Sequence, residues 1–183
     1  MNIDYVTEIY HNYLTVKNSL TVTRRSMNKK ISILHRRTIF QELKLNDFNP
    51  MLKSADKELA DLIVLGLFAS FERQLRDEIL DKSSKLQEII PRELGKRLTT
   101  LAQREIERWR IGEIIDLFNF AVDEIVRGKL KQILKYRNWI AHGRNPNDLP
   151  SVPSTNPKTT YETILEFVSQ MQDNVVSHEN KRF

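Results

Sequence analysis

Four polar side chains that could bind an anion and transfer protons follow one another at helical spacing near residue 140. Lys131, Lys135, Asn138 and His142 are separated by four, three and four residues, which places them on one stripe of a helix. Lysines attract phosphate, and an imidazole can accept or donate a proton near neutral pH. The stripe predicts an anion-facing edge, although a histidine in a last helical turn also suits the helix dipole without any catalytic role.

Two charges of opposite sign interrupt apolar stripes on different segments. Glu72 falls on one stripe and Arg137 on the other. The apolar members are Val64, Phe68, Phe71, Leu75 and Ile79 in the first stripe and Val126, Leu130, Ile133 and Ile140 in the second. Burying either charge alone would cost several kcal/mol, so we predict that the two side chains approach each other. The alternative is that one or both reach solvent along the wall of a cleft.

The pattern of apolar residues along the chain is typical of an all-α protein. Apolar residues recur at three- and four-residue spacing, and no segment alternates with period two. A chain of 183 residues suits a single-domain bundle of about six to seven helices. The predicted organisation is a basic N-terminal helical segment over 1–50, a core over 54–142, a proline-rich loop over 143–158 and a C-terminal helix over 159–178.

Breaks in the pattern set the predicted helix boundaries. A first helix carries the apolar residues from Ile3 to Tyr13, and Met27, Ile31, Leu34 and Phe40 predict a second, basic helix. Residues 46–50 end with a proline and predict a break, after which a third helix covers 54–82. Pro91 predicts another interruption.

The second half of the chain is predicted to be helical up to the proline-rich loop. Residues 94–120 form a helix with a break at Gly112, and 122–141 form one that ends at Gly143. Two capping boxes predict the start of a short helix and of the last helix: Ser84 with Gln87, and Thr159 with Glu162.

Positive charge is concentrated near the N-terminus. No Asp or Glu occurs between Glu8 and Glu42, and seven Lys and Arg residues contribute +7 there, against +5 for the whole chain. Such a segment is typical of contact with nucleic-acid phosphates, and the candidates are Arg24, Arg25, Lys29 and Lys30. A solvated helix face would give the same pattern.

Several classes of protein are excluded by composition. The absence of cysteine rules out disulfides, thiolate zinc sites and cysteine nucleophiles. The longest apolar run, 62–69, is too short to span a bilayer, and no signal-peptide pattern is present, so we expect a cytoplasmic protein without membrane contact. No metal-ligand spacing and no phosphate-binding glycine loop is found, so no metal or cofactor is expected.

The segment from Tyr136 to Gly143, YRNWIAHG, resembles the motif of HEPN domains. In that motif an arginine and a polar residue precede a histidine at R-x4-H spacing near a helix end. The stretch Ser70-Phe71-Glu72 resembles the acidic position on the family's earlier helix, and the similarity covers roughly 57–176 in layout. The resemblance implies a metal-independent endoribonuclease of a toxin-antitoxin or phage-defence system. It also implies a homodimer in which two motifs meet in one cleft.

The resemblance implies a role for each motif residue. Arg137, Asn138 and His142 are the catalytic candidates for attack of a ribose 2′-OH on its own 3′-phosphate, with His142 as base or acid. Glu72 would orient Arg137. The resemblance does not cover the first fifty residues. Lys131 and Lys135 are expected RNA contacts because of the polar stripe, and the four basic residues near the N-terminus because of their charge.

Arg144 departs from the pattern of some family members. They carry a tyrosine at this position, two residues beyond the histidine, to which a partner antitoxin attaches AMP. Because Arg144 replaces it, we do not expect that modification, and Arg144 is either an additional RNA phosphate contact or an exposed cation. Besides RNA and a second copy of the chain, an antitoxin protein is an expected partner. The alternative function is a catalytically silent helical module that binds RNA or a partner protein.

Overall fold

The structure, a computed structural model, describes residues 1, 3–89, 91–148 and 155–179. This part of the chain contains α-helices and short 3-10 helices and no β-strand, so the predicted all-α class is confirmed. The α-helices are α1 (Asp4–Asn28), α2 (Leu45–Ile89), α3 (Arg92–Glu105), α4 (Ile111–Asp116), α5 (Glu124–Ala141) and α6 (Pro157–Glu179). The 3-10 helices are Ser32–His35, Ile106–Arg108 and Pro146–Asp148. No helix in the described ranges combines the length and apolar character needed to cross a membrane.

The long helix α2 contacts most other helices of the bundle. Helices α1, α3 and α5 run antiparallel to it, and α6 runs antiparallel to α5. For α1, Lys17 contacts Asp56 and the Met1 amino group contacts Glu78. For α3 and the 3-10 helix after it, Thr99 contacts Ser83 and Ile106 contacts Arg76. For α5, Arg137 contacts Glu72 and Arg144 contacts Glu58. For α6 against α5, Glu166 contacts Lys129 and Gln170 contacts Asp123. The arrangement brings the end of α5 against the middle of α2.

The main hydrophobic core lies between α2, α5 and α6. The two apolar stripes predicted from the sequence contribute to it, since Val64, Phe68, Phe71, Leu75, Val126, Leu130 and Ile133 are buried there. Phe167 of α6 packs edge-on against Phe71, with ring centroids 5.4 Å apart. Because both stripes face inward, the charges at Glu72 and Arg137 are carried towards the interior.

The predicted second, basic helix is wrong. Helix α1 continues to Asn28, and the chain then forms a short 3-10 helix and turns. The helix ends in a Schellman pattern, in which Ile31 N donates to Ser26 O at 3.0 Å and Lys30 N donates to Met27 O at 2.9 Å. Lys30 adopts the left-handed conformation that this pattern requires, with φ of 55°. No glycine marks the end, so no stop signal could be recognised in the sequence at this position.

The predicted break at 46–50 and the capping box at Ser84 are also wrong, because α2 extends through both. Phe48 and Leu52 are buried against Met27 in a small second core, and this packing stabilises the helical turn around Pro50 in spite of its missing N–H. Further along, the Ser84 hydroxyl donates to Asp81 O at 2.7 Å within the helix. Ser84 therefore does not cap a new helix.

Two boundaries in the second half are shifted from their predicted positions. The interruption predicted at Gly112 lies at Trp109 and Arg110, whose backbones are extended, and Gly112 is inside α4. The last helix begins at Pro157, and Asn156 Oδ1 accepts a hydrogen bond from Thr159 N at 3.0 Å. Asn156 is thus the capping residue, with proline at the first helical position. The interruption at Pro91 is confirmed. Residues 149–154 of the predicted loop lie outside the described ranges.

Candidate functional site

The backbone at the end of α5 fixes the position of His142. Gly143 N donates to Ile140 O at 3.1 Å and Arg144 N donates to Trp139 O at 2.9 Å, which is a second Schellman pattern. Gly143 has φ of 85°, so the predicted end at this glycine is confirmed. His142 is the C-cap residue, and its side chain is exposed one turn beyond Asn138.

Arg137 and Glu72 approach each other as predicted. The distance between Arg137 Nη2 and Glu72 Oε2 is 3.8 Å, and both side chains are partly buried, at 30% and 22% exposure. Arg137 Nη1 also donates to Asn138 Oδ1 at 3.0 Å. Asn138 therefore contacts the guanidinium and stands one helical turn before His142 in the chain.

Arg76 is a member of this cluster that sequence reasoning missed. Its Nη2 donates to Glu72 Oε1 at 2.8 Å and to Trp109 O at 3.0 Å, and its Nη1 donates to Ile106 O. The side chain is only 8% exposed. Glu72 therefore lies between two arginines and balances a buried positive charge. The sequence feature that could have revealed Arg76 is its position one helical turn after Glu72 on the same inward stripe.

The Arg137 guanidinium keeps donors for a ligand while it is paired. Each Nη nitrogen carries a second hydrogen, and no acceptor for either is found in the described part of the chain. The Nε atom is buried and has no hydrogen-bond partner there. The imidazole of His142 likewise makes no hydrogen bond to any described residue. An arginine held by a carboxylate can bind a phosphate with its remaining donors, and an unengaged imidazole can accept or donate a proton.

Arg144 is held by two carboxylates of α2. Its Nη1 and Nη2 donate to Glu58 Oε1 and Oε2 at 2.6 and 2.8 Å, and Nη2 lies 2.9 Å from Asp61 Oδ2. The hydrogen bonds from Arg144 hold the pKa of Glu58 below its usual value. Of the two sequence interpretations, a simple exposed cation is wrong because the side chain is doubly paired, and an RNA phosphate contact stays a prediction.

Tyr136 and Asp61 add a second link between α5 and α2. The Tyr136 hydroxyl donates to Asp61 Oδ1 at 2.7 Å, and Asp61 is only 3% exposed. Burial, together with the bond to Asp61, raises the pKa of Tyr136 to about 12, so the phenol stays a neutral donor at physiological pH. Sequence reasoning missed both Asp61 and Glu58. The signal for Asp61 was its place one turn before Val64 on the inward stripe.

The chain matches the family model RiboL-PSP-HEPN over residues 4–178. It belongs to this HEPN family. The match confirms the resemblance at the motif and extends it to α1, which the similarity in layout did not cover. Comparison with curated proteins gives no match, and comparison with solved structures gives none. Membership of a HEPN family supports an RNase-type or RNA-related function.

The two lysines of the HEPN motif helix differ in their surroundings. Lys131 Nζ lies 2.5 Å from Asp116 Oδ2, and Arg127 Nη1 donates to Asp116 Oδ1 at 3.0 Å. These cations lower the pKa of Asp116, so its charge persists and compensates Lys131. Lys135 is exposed and has no ion pair among the described residues. Lys135 is therefore the lysine of the stripe with an uncompensated charge.

The basic residues near the N-terminus of this HEPN domain lie apart from the motif cluster. Arg24, Arg25, Lys29 and Lys30 are exposed at the end of α1 and make no ion pair within the described ranges. The end of α1 packs on Phe48 and Leu52 of α2, whereas the motif packs on residues 58–72. At a rise of about 1.5 Å per residue, Leu52 and Glu72 are roughly 30 Å apart along the helix.

Proposed function

We propose that this HEPN domain is a metal-independent endoribonuclease that acts as a homodimer. The observation that carries the proposal is the state of Arg137, which is paired with Glu72 and bonded to Asn138 yet retains unengaged donors. It lies on the last two turns of the helix that presents His142. Cleavage of RNA by its own ribose 2′-OH requires a cationic group, such as a guanidinium, to stabilise the phosphate and a group that transfers protons.

The proposed reaction breaks the bond between phosphorus and the leaving 5′-oxygen. A base removes the proton of the ribose 2′-OH, the 2′-oxygen bonds to the adjacent phosphorus, and an acid protonates the leaving oxygen. The products are a 2′,3′-cyclic phosphate and a 5′-hydroxyl. Arg137 donates hydrogen bonds to the phosphoryl oxygens as negative charge accumulates on them, and Asn138 positions the guanidinium.

The two proton transfers favour a two-fold dimer. One chain supplies one His142, and no second histidine belongs to the motif. A homodimer with its two motifs facing one cleft supplies a base and an acid of the same residue type. In this arrangement Glu72 acts through Arg137 and takes no part in proton transfer.

The biological setting that we propose is a cytoplasmic toxin-antitoxin or phage-defence system, with an antitoxin protein as the controlling partner. Cleavage of cellular RNA would arrest growth, so the activity requires restraint. Expression of the chain alone is expected to suppress growth, and the His142→Ala variant is expected to relieve that suppression.

The decisive experiment is cleavage of RNA by the purified protein in the presence of a chelator. We expect 2′,3′-cyclic phosphate ends, which should be absent with His142→Ala and retained with His11→Ala, which removes an exposed histidine of α1. Activity per chain is expected to fall on dilution, as the dimer dissociates. Intact RNA that still binds would contradict the nuclease and favour a silent RNA-binding module.

A further inference from the structure

An open cavity of about 740 Å³ lies along the turns that follow α1, and the proposed active site does not use it. Its apolar wall includes Met27, Ile33 and Phe40, and its charged rim includes Lys30, Arg36 and Lys44. A cavity of this size suits a ligand as large as a nucleotide. The mixed lining indicates a ligand with both a flat apolar part and a negative charge.

The charges around this cavity are uncompensated. No Asp or Glu lines it, and none of its three cations makes an ion pair within the part of the chain that the structure describes. Arg144 at the motif is different, because two carboxylates hold it. Three unpaired cations around one cavity favour an anionic ligand, since binding it would offset their mutual repulsion.

The Phe40 ring is held in place by two neighbouring rings. The Phe40 ring meets the fully buried Phe48 edge-on, with centroids 5.4 Å apart, and meets His35 with centroids 6.4 Å apart. His35 is itself buried, and its Nε2 lies 3.2 Å from Ser26 Oγ. A supported aromatic ring beside several cations is the combination that single-stranded nucleic acids bind, with a base against the ring and phosphates on the cations.

We propose that this cavity binds one nucleotide of a single-stranded RNA. The base lies against Phe40 and Ile33, and the adjoining phosphates contact Lys30, Arg36 and Lys44. The choice of RNA as ligand rests on the proposed function. The cavity gives the domain a second RNA contact, on the second core near the start of α2 and separate from the cleavage residues.

The first test introduces one carboxylate inside or outside the cavity. Ile33 lines it and is 74% exposed, whereas Ile39 lies in the same segment outside the lining and is 76% exposed. Ile33→Glu and Ile39→Glu therefore change charge and exposed surface alike. Binding of a fluorescent single-stranded RNA oligomer is measured by anisotropy in the His142→Ala background, where cleavage cannot interfere. Thermal unfolding of both variants checks that the fold is retained.

We expect Ile33→Glu to weaken binding by about tenfold and Ile39→Glu by about twofold or less, because only the first places a negative charge inside the cavity, against the bound base and close to its phosphates. Lys44→Gln is a second variant that removes a cavity charge without adding one, and it is expected to weaken binding by several-fold. Equal effects of the two isoleucine variants would overturn the proposal, because they would reduce it to general charge attraction.

A second test asks whether a base enters the cavity. An abasic ribose-phosphate oligomer of equal length has the same charge, and we expect it to bind about tenfold more weakly than the RNA. Equal affinities would overturn the placement of a base. RNA that binds selectively here but is never cut would contradict only the nuclease, and RNA that is cut without an Ile33→Glu effect would contradict only this cavity.

Discussion

Helices α1 and α5 end with the same backbone hydrogen-bond pattern, but the two ends differ in the residue at the left-handed position and in the partners of their charged side chains. The left-handed position is Lys30 at the end of α1 and Gly143 at the end of α5. The arginines at the α5 end bind carboxylates of α2, whereas the cations at the α1 end have no acidic partner in the described ranges. One end is electrostatically paired and the other is not.

Under the proposed function, this difference predicts different roles for the two helix ends in RNA recognition. A paired arginine keeps a fixed direction, which favours stabilisation of charge that develops in a reaction. Unpaired exposed cations attract phosphates and release the counterions that surround them, which favours affinity over chemistry. We therefore expect substitutions at the α5 end to affect rate and substitutions at the α1 end to affect binding.

The largest effect is expected from Arg137→Ala. Removal of the guanidinium should lower the single-turnover rate of RNA cleavage at saturating enzyme by about 10²-fold to 10³-fold, since one transition-state donor is worth that much. RNA affinity should change little. Arg73→Ala is the control, because Arg73 is an exposed arginine of α2 paired with Asp77. A lower affinity with an unchanged rate constant would place Arg137 among the binding residues instead.

The next largest effect is on stability, and it comes from the charge of Glu72 between Arg76 and Arg137. Glu72→Gln leaves Arg76 and Arg137 close together without a negative charge between them, and we expect the free energy of unfolding to fall by about 2 kcal/mol. Urea denaturation measures it. Asp77→Asn, which removes the same charge from a pair with more than half of each side chain exposed, should cost about 0.5 kcal/mol or less. Similar decreases in the two variants would show that Glu72 has no special structural role.

A smaller effect is expected when the unpaired end is neutralised. Replacing Arg24, Arg25, Lys29 and Lys30 with glutamine should flatten the salt dependence of RNA binding. The slope of log affinity against log salt should fall by about 0.7 for each RNA phosphate that the protein no longer neutralises. The matched control replaces four cations that already have acidic partners, Lys82, Lys85, Lys96 and Arg104. An unchanged slope in the first variant would mean that the basic segment is only a solvated surface.

The core and one contact of the site could be predicted from the sequence because both follow from helical periodicity. The stripes through Phe68 and Leu130 are buried, and their two charges meet. Contacts between residues that are far apart in the chain were harder to predict from the sequence. Nothing local to Arg144 indicates that Glu58, 86 residues earlier, will hold it, although the inward position of Asp61 gave a hint.

Helix boundaries near the N-terminus could not be predicted because tertiary packing sets them. Pro50 normally indicates a break, but burial of Phe48 and Leu52 stabilises the helix around it. The end of α1 was missed for a related reason. Lysine rarely adopts a positive φ, so a Schellman end at Lys30 has no sequence signature, whereas the one at Gly143 does.

The smallest expected effect is on stability, and it tests the contrast between Lys30 and Gly143 at the two helix ends. A Cβ added at Gly143 or at Gly128 would meet no heavy atom within 4 Å other than those of its chain neighbours and the local helix backbone, so alanine at either position acts through the backbone alone. Gly143→Ala should cost about 1 kcal/mol, because an L-residue is strained at positive φ. Gly128→Ala, inside α5, should stabilise by about 0.5 to 1 kcal/mol.

Lys30→Gly completes the comparison and should stabilise by less than about 1 kcal/mol, since relief of the strain is offset by the freer unfolded chain. Thermal and urea unfolding measure all three variants. Equal signs for Gly143→Ala and Gly128→Ala would mean that the left-handed end of α5 is not what holds His142 at the helix terminus. A lower rate constant of RNA cleavage for Gly143→Ala, at unchanged RNA affinity, would show that the backbone conformation at this position affects catalysis.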